Sequence, residues 1–138
     1  MAEFAYMDAY LTVNSVDLSD HLRSSQLNGT GDTLDKTAMG QTARTFLVGL
    51  LNWSVGVEFN DDLAASDVDV TLYNAFKGRV AVPVAWRAEN DTIAATNPEF
   101  QFSTLINNYN IGGSVGALAV KSGLTWQVDG DVTRDITP

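Results

Sequence analysis

The strongest constraint on this chain is the strict alternation between Leu51 and Asn60. Trp53, Val55, Val57 and Phe59 alternate with Asn52, Ser54, Gly56 and Glu58. Side chains on a strand point to opposite faces in turn, so this segment predicts a strand with one apolar and one wet face. That is the signature of an antiparallel sheet packed on one side. The pattern recurs. Arg79 to Arg87 places Val80, Val82, Val84 and Trp86 on one face, with Pro83 pointing to an edge or a bulge. Glu99 to Tyr109 sets Phe100 and Phe102 against Gln101, Ser103 and Asn107. Ala117 to Val128 sets Leu118, Val120, Leu124, Trp126 and Val128 against Lys121, Thr125, Gln127 and Asp129. Tyr6 to Val13 is a less regular first strand, followed by an Asn14-Ser15 turn. The predicted core centres on Trp53, Phe59, Trp86, Phe102 and Trp126.

One helix is predicted, over Ser66 to Phe76. Ser66 and Asp69 form a capping-box-like start, and Asp67 and Asp69 suit the positive end of the helix dipole. Val68, Leu72, Ala75 and Phe76 make an apolar stripe, with Gly78 as the stop. Val68, Val70 and Leu72 also alternate, so a strand competes. Asn28-Gly29, within the polar stretch Ser24 to Leu34, is a strong short hairpin signal. Together these predict a mainly β protein: an antiparallel β-sandwich or barrel with one short flanking α-helix. The 138 residues read as a single domain, 1–138, with residues 129–138 as a polar C-terminal tail.

Residues 35–51 give two conflicting signals. Met39, Ala43, Phe46, Leu47 and Leu50 fall at helical spacing. Gly40, Gly49, Thr37, Thr42 and Thr45 disfavour a helix and suit an extended segment.

Composition removes whole classes of function. The chain has 8 Lys and Arg against 17 Asp and Glu, a formal charge of −9. It therefore lacks the clustered cations that grip nucleic-acid phosphates or anionic lipid. It has no Cys and a single His, His21, which excludes thiolate and multi-histidine metal sites. No cofactor is implied. The longest apolar run, Phe46 to Leu51, is far shorter than the roughly 20 residues of a membrane-spanning helix. Met1-Ala2-Glu3-Phe4 does not resemble a secretory leader. Gly112-Gly113-Ser114-Val115-Gly116 matches a nucleophile-elbow pattern, but a strand follows it and the only His lies upstream. It reads as a glycine turn, and no catalytic residue is assigned.

Four stretches carry a family resemblance: Val13 to Leu22; Thr37 to Gly40 with Thr42 and Arg44, leading to Trp53-Ser54-Val55; Val57 to Asp62; and Thr96-Asn97-Pro98 with Phe100 and the glycine turn at 112–116. In this order they resemble the major tail protein, the tail tube subunit, of long-tailed bacteriophages. The resemblance implies six-membered rings of this chain stacked into a hollow tube. DNA would pass through without specific binding, and the tape measure, terminator and distal tail proteins would be partners. It implies a virion component assembled in the bacterial host cytoplasm. It recasts residues 35–51 as an extended interface arm, with Thr37, Met39, Gly40, Arg44, Phe46 and Leu47 as contact residues. The uncharged and acidic wet-face positions Ser54, Glu58, Gln101, Ser103, Asn107, Thr125 and Gln127 become candidates for the bore lining. A tail terminator, a head decoration protein and a carbohydrate-binding β-sandwich are the alternatives.

Overall fold

A computed structural model of the chain describes residues 8–64 and 67–137. Its elements in order are β1 (Tyr10–Val13), β2 (Val16–Asp17), β3 (Leu22–Asp35), β4 (Phe46–Asn60), α1 (Val68–Gly78), β5 (Val82–Arg87), β6 (Glu99–Leu105) and β7 (Val120–Asp135). A single 3-10 turn, Ser19–His21, links β2 to β3. All seven strands join one antiparallel sheet in the order β2-β1-β5-β6-β7-β4-β3.

The core lies between this sheet and α1. Leu11 and Val13 of β1, Phe59 of β4, Val68 and Leu72 of α1, and Trp126 of β7 share one buried cluster. The cluster joins α1 to β1 and β4, each one strand in from an edge of the sheet, and to β7. Phe59 and Trp126 stack, with ring centroids 6.4 Å apart.

The helix forms where the apolar stripe predicts. Asp67 is the N-cap, and its carboxylate accepts the Val68 N–H at 2.9 Å. The capping role assigned to Ser66 lies outside the described residues. The left-handed turn that ends the helix falls on Arg79 (φ 58°), one residue past Gly78. Phe76 is 37 % exposed, so the buried stripe is Val68, Leu72 and Ala75.

Several expectations give way. Asn28-Gly29 is not a hairpin turn; both residues lie inside β3, opposite Ser54 and Trp53. The glycine serves packing: a Cβ on Gly29 would sit 2.7 Å from the Trp53 ring. Pro83 is neither at an edge nor in a bulge, because β5 runs between β1 and β6. Its carbonyl accepts the Asn14 N–H at 2.7 Å. A residue's N–H and C=O point to the same side of a strand, so the missing donor faces the point where β1 turns away, and no bond to β6 is lost. Val80 and Leu118 lie outside the strands and are 64 % and 68 % exposed. Trp53 and Trp86 are only partly buried, packed against the rim of the core. Residues 129–135 are not a free tail; they complete β7 and pair with β6 from Ser103 to Glu99.

Residues 35–51 contain no helix. Phe46 to Leu51 extends β4, and its partners in β3 run to Asp35. The result is one long hairpin with strands of 14 and 15 residues.

Truncation tests this core. Trp126 is 0 % exposed, so Trp126→Ala is expected to cost about 3–5 kcal/mol in denaturant unfolding. Trp53→Ala should cost clearly less, because the ring is only partly buried and solvent reaches the gap it leaves.

Candidate functional site

Three surfaces stand out, and each follows from how the strands end or continue. The first is the distal hairpin. β4 leaves β7 at Ser54, opposite Gln127, yet continues to Phe46 paired only with β3. The Gln127 side-chain amide donates to the Asn52 Oδ1 at 2.6 Å and the Trp53 carbonyl at 3.0 Å. The Trp53 Nε1 donates to Asp131 at 3.1 Å. These bonds anchor the hairpin's root. At its tip, the Thr45 N–H donates to Thr37 Oγ1 at 2.8 Å, and Arg44 pairs with Asp35 at 2.9 Å. Gly40 takes φ 89° in the tip, a conformation that side chains oppose. Apolar side chains are uncovered along the hairpin and at its tip: Met39 in the tip is 102 % exposed, and on β4 Leu50 is 84 % and Phe46 and Leu47 53 % each. Large exposed apolar patches are where proteins commonly meet partners.

The second surface is the face of the sheet opposite α1. Ser54, Glu58, Gln101, Ser103, Thr125 and Gln127 alternate with buried core residues along β4, β6 and β7. The register brings them together, with Ser54 opposite Gln127 and Gly56 opposite Thr125. Asn107 is separate; β6 ends at Leu105, and Asn107 lies beyond it beside Ile106. A shallow basin of about 500 Å³ on this face is lined by Thr12, Gln101, Ser103, Asp129, Asp131 and Thr133, among others, with no Lys or Arg among the described residues. Two arginines approach the face and both are paired: Arg23 with Glu58 at 3.4 Å and Arg87 with Glu99 at 2.8 Å.

The third is the anchor of the loop between β6 and β7. Simple alternation puts Lys121 on the wet face. In the structure it is 0 % exposed and points to the core side. A bulge explains the switch. Val57 pairs with Leu124 and Phe59 with Lys121, so two steps on β4 match three on β7, with Gly123 at φ 71° taking up the extra residue. The Lys121 ammonium contacts Asp69 of α1 at 2.8 Å and Asp61 at 3.4 Å, donates to the Asn110 carbonyl at 2.6 Å, and lies 4.4 Å from the Tyr109 ring centroid. The Tyr109 hydroxyl donates to the same Asp69 oxygen at 2.5 Å. Burial alone would raise the Asp69 carboxyl. The hydrogen bonds from Lys121 and Tyr109 and the ammonium charge outweigh it and hold the group below 3.8. The hydrogen bond to Asp69, then burial and the nearby carboxylates, push the Tyr109 hydroxyl up to about 12. One buried cation thus ties the loop after β6 to the helix and to the end of β4. A glycine inside an otherwise regular strand, Gly123, is the sequence signal that points to such a bulge.

His21 lies 2.9 Å from Asp67 and 3.6 Å from Asp62, three groups close enough to hold a metal ion. The same Asp67 oxygen caps α1, which gives the cluster a structural role at the helix start.

No family model and no curated protein matches the chain. Solved structures do. A chain from the virion of a native gene transfer agent particle superposes with a TM-score of 0.77 at 14 % identity, covering 96 % of this chain and 98 % of that one. A chain from the tail of an empty gene transfer agent particle, refined with C6 symmetry, superposes with a TM-score of 0.68 at 16 % identity, covering 83 % and 81 %. The fold is therefore one found in phage-like particles and their tails.

The ion cluster sets a pH dependence. Tyr109 has a raised folded pKa, so its contribution is complete below about 10 and is lost as pH rises through about 12. Asp69 has a lowered folded pKa, so its contribution is present above 3.8 and is lost as pH falls through the folded value. Tyr109→Phe should flatten the alkaline loss of stability in melts between pH 9 and 12. Lys121→Ala, which strands buried carboxylates, should cost about 3–5 kcal/mol at neutral pH.

Proposed function

We propose that this protein is a tail tube subunit of a phage-like particle, a structural, non-enzymatic protein. Copies form six-membered rings that stack into a hollow conduit for DNA, closed at its ends by other tail proteins and threaded by a tape measure protein. The observation that carries this reading is the near full-length likeness to chains of a gene transfer agent virion and its six-fold tail. The surfaces supply the physics. The distal hairpin exposes Met39, Phe46, Leu47 and Leu50, which a neighbouring copy would bury. We assign the interface arm to this hairpin, with Thr37, Gly40 and Arg44 shaping its tip.

The opposite wet face supplies the bore. Ser54, Glu58, Gln101, Ser103, Thr125 and Gln127 offer hydroxyls, amides and a carboxylate. The two arginines that approach are already neutralised by Glu58 and Glu99. A phosphate backbone sliding past would find no free cation to hold it and a net negative field to keep it centred.

Assembly is tested by sedimentation. The wild-type protein should form large, concentration-dependent species. Leu50→Asp places a charge at a site 84 % exposed in one copy, so the variant should keep its melting temperature and remain small. A variant that assembles normally would remove the hairpin from the interface. For the bore, Ser103→Lys with Thr125→Lys should still assemble but slow DNA passage at low salt. Unchanged DNA delivery from particles with normal tails would place these residues elsewhere.

A further inference from the structure

The hairpin's apolar side chains need a receiving surface, and the same chain carries one. Between the end of α1 and the end of β6 lies a groove of about 400 Å³, lined by Phe76, Lys77, Arg79, Val80, Leu105 and Ile106, among others. Phe76, Val80 and Leu105 are 37 %, 64 % and 38 % exposed in it. Lys77 and Arg79 sit at its rim, and neither forms an ion pair among the described residues. In a chain of charge −9, two cations without an ion pair beside an apolar groove mark a place that receives an apolar partner bearing an unpaired carboxylate.

The hairpin has that chemistry. Leu34, Val48, Leu50 and Leu51 are exposed along it, together with Asp32, which forms no ion pair among the described residues. The register shows that it does not fill the groove of its own copy. Leu105 of β6 and Ser54 of β4 both lie opposite Gln127. From that row the hairpin runs toward Phe46 in the direction in which β6 runs from Leu105 to Glu99. The groove lies beyond Leu105, on the other side of the row. The residues of β4 before Ser54 carry the hairpin about 25 Å away from it, at roughly 3.3 Å per residue. The two apolar surfaces therefore sit at opposite ends of the strand axis.

We propose that the groove between α1 and β6 is the docking site for the distal hairpin of a second copy of this chain, with Lys77 and Arg79 facing the hairpin's Asp32. The contact is head-to-tail: each copy gives one hairpin and receives one. Such a heterologous contact does not close on a pair, and it propagates along the strand axis. This docking rests on the reading of the hairpin as the assembly arm and names the surface that accepts it.

The chain has no Cys, so engineered thiols report the contact directly. Leu50→Cys and Val80→Cys both fall on exposed positions, 84 % and 64 %, and should leave the fold intact. Mixed and mildly oxidised, the two single variants should give a 50–80 disulfide dimer well above the yield from Leu50→Cys mixed with Thr133→Cys, whose thiol sits on the wet face. The double variant Leu50→Cys/Val80→Cys should give a ladder of higher oligomers on a non-reducing gel. A 50–80 yield no greater than the 50–133 control overturns the docking, as does a dominant 50–50 product. If the wild-type protein forms six-fold tubes while the mixed Cys variants give no 50–80 product above the control, the docking falls and the tube reading stands. If ladders form but micrographs show no rings, the docking stands and the tube reading falls.

Discussion

A single sheet covered by a single helix leaves its other face wet, and most of this molecule follows from that constraint. The helix buries Val68, Leu72 and Ala75 against the sheet, and core residues from β1 to β7 converge on it. Every second residue of β4, β6 and β7 must then face water, which gives a continuous polar surface rather than a second core. In an isolated molecule such a face serves solubility. In a ring it becomes the inner or the outer wall. On the reading proposed above this face is the inner wall of a DNA conduit, and the two arginines that reach it among the described residues are held by carboxylates.

The helix-side core also needs a lock at one end of the sheet, and Lys121 supplies it. Taking an ammonium out of water is costly unless its partners are in place. Here Asp61, Asp69, the Asn110 carbonyl and the Tyr109 ring surround it. The lock fixes the start of the loop between β6 and β7, next to the groove formed by Phe76, Val80 and Leu105. The distal hairpin projects from the other end. The molecule is thus polar along its strand axis, with a projecting apolar element at one end and an apolar groove at the other.

Alternation in β4, β6 and the middle of β7 was enough to read the sheet and its wet face, and the apolar stripe with its acidic start was enough to read the flanking helix. It failed where a local exception overrode the period. Gly123 shifts the register of β7 and carries Lys121 from the wet face to the core, which strict counting by twos does not register. Asn28-Gly29 has the composition of a turn, but Gly29 is small because the Trp53 ring crosses it, a contact between residues distant in sequence. Residues 35–51 carried a helical period by coincidence; their glycines and threonines reported the extended hairpin correctly. The polar tail after Val128 looked free because its pairing with β6 depends on backbone hydrogen bonds, which leave no mark on side-chain type. The groove at the end of α1 was not legible at all, since it joins residues from two elements that meet only in the folded chain.

Averaged electron micrographs of the purified wild-type protein at high concentration test the central claim most directly. The account predicts hollow tubes built of six-fold rings, with density for the long hairpin crossing from one ring to the next. Folded, monodisperse single copies at every concentration, or closed assemblies without a bore, would contradict it.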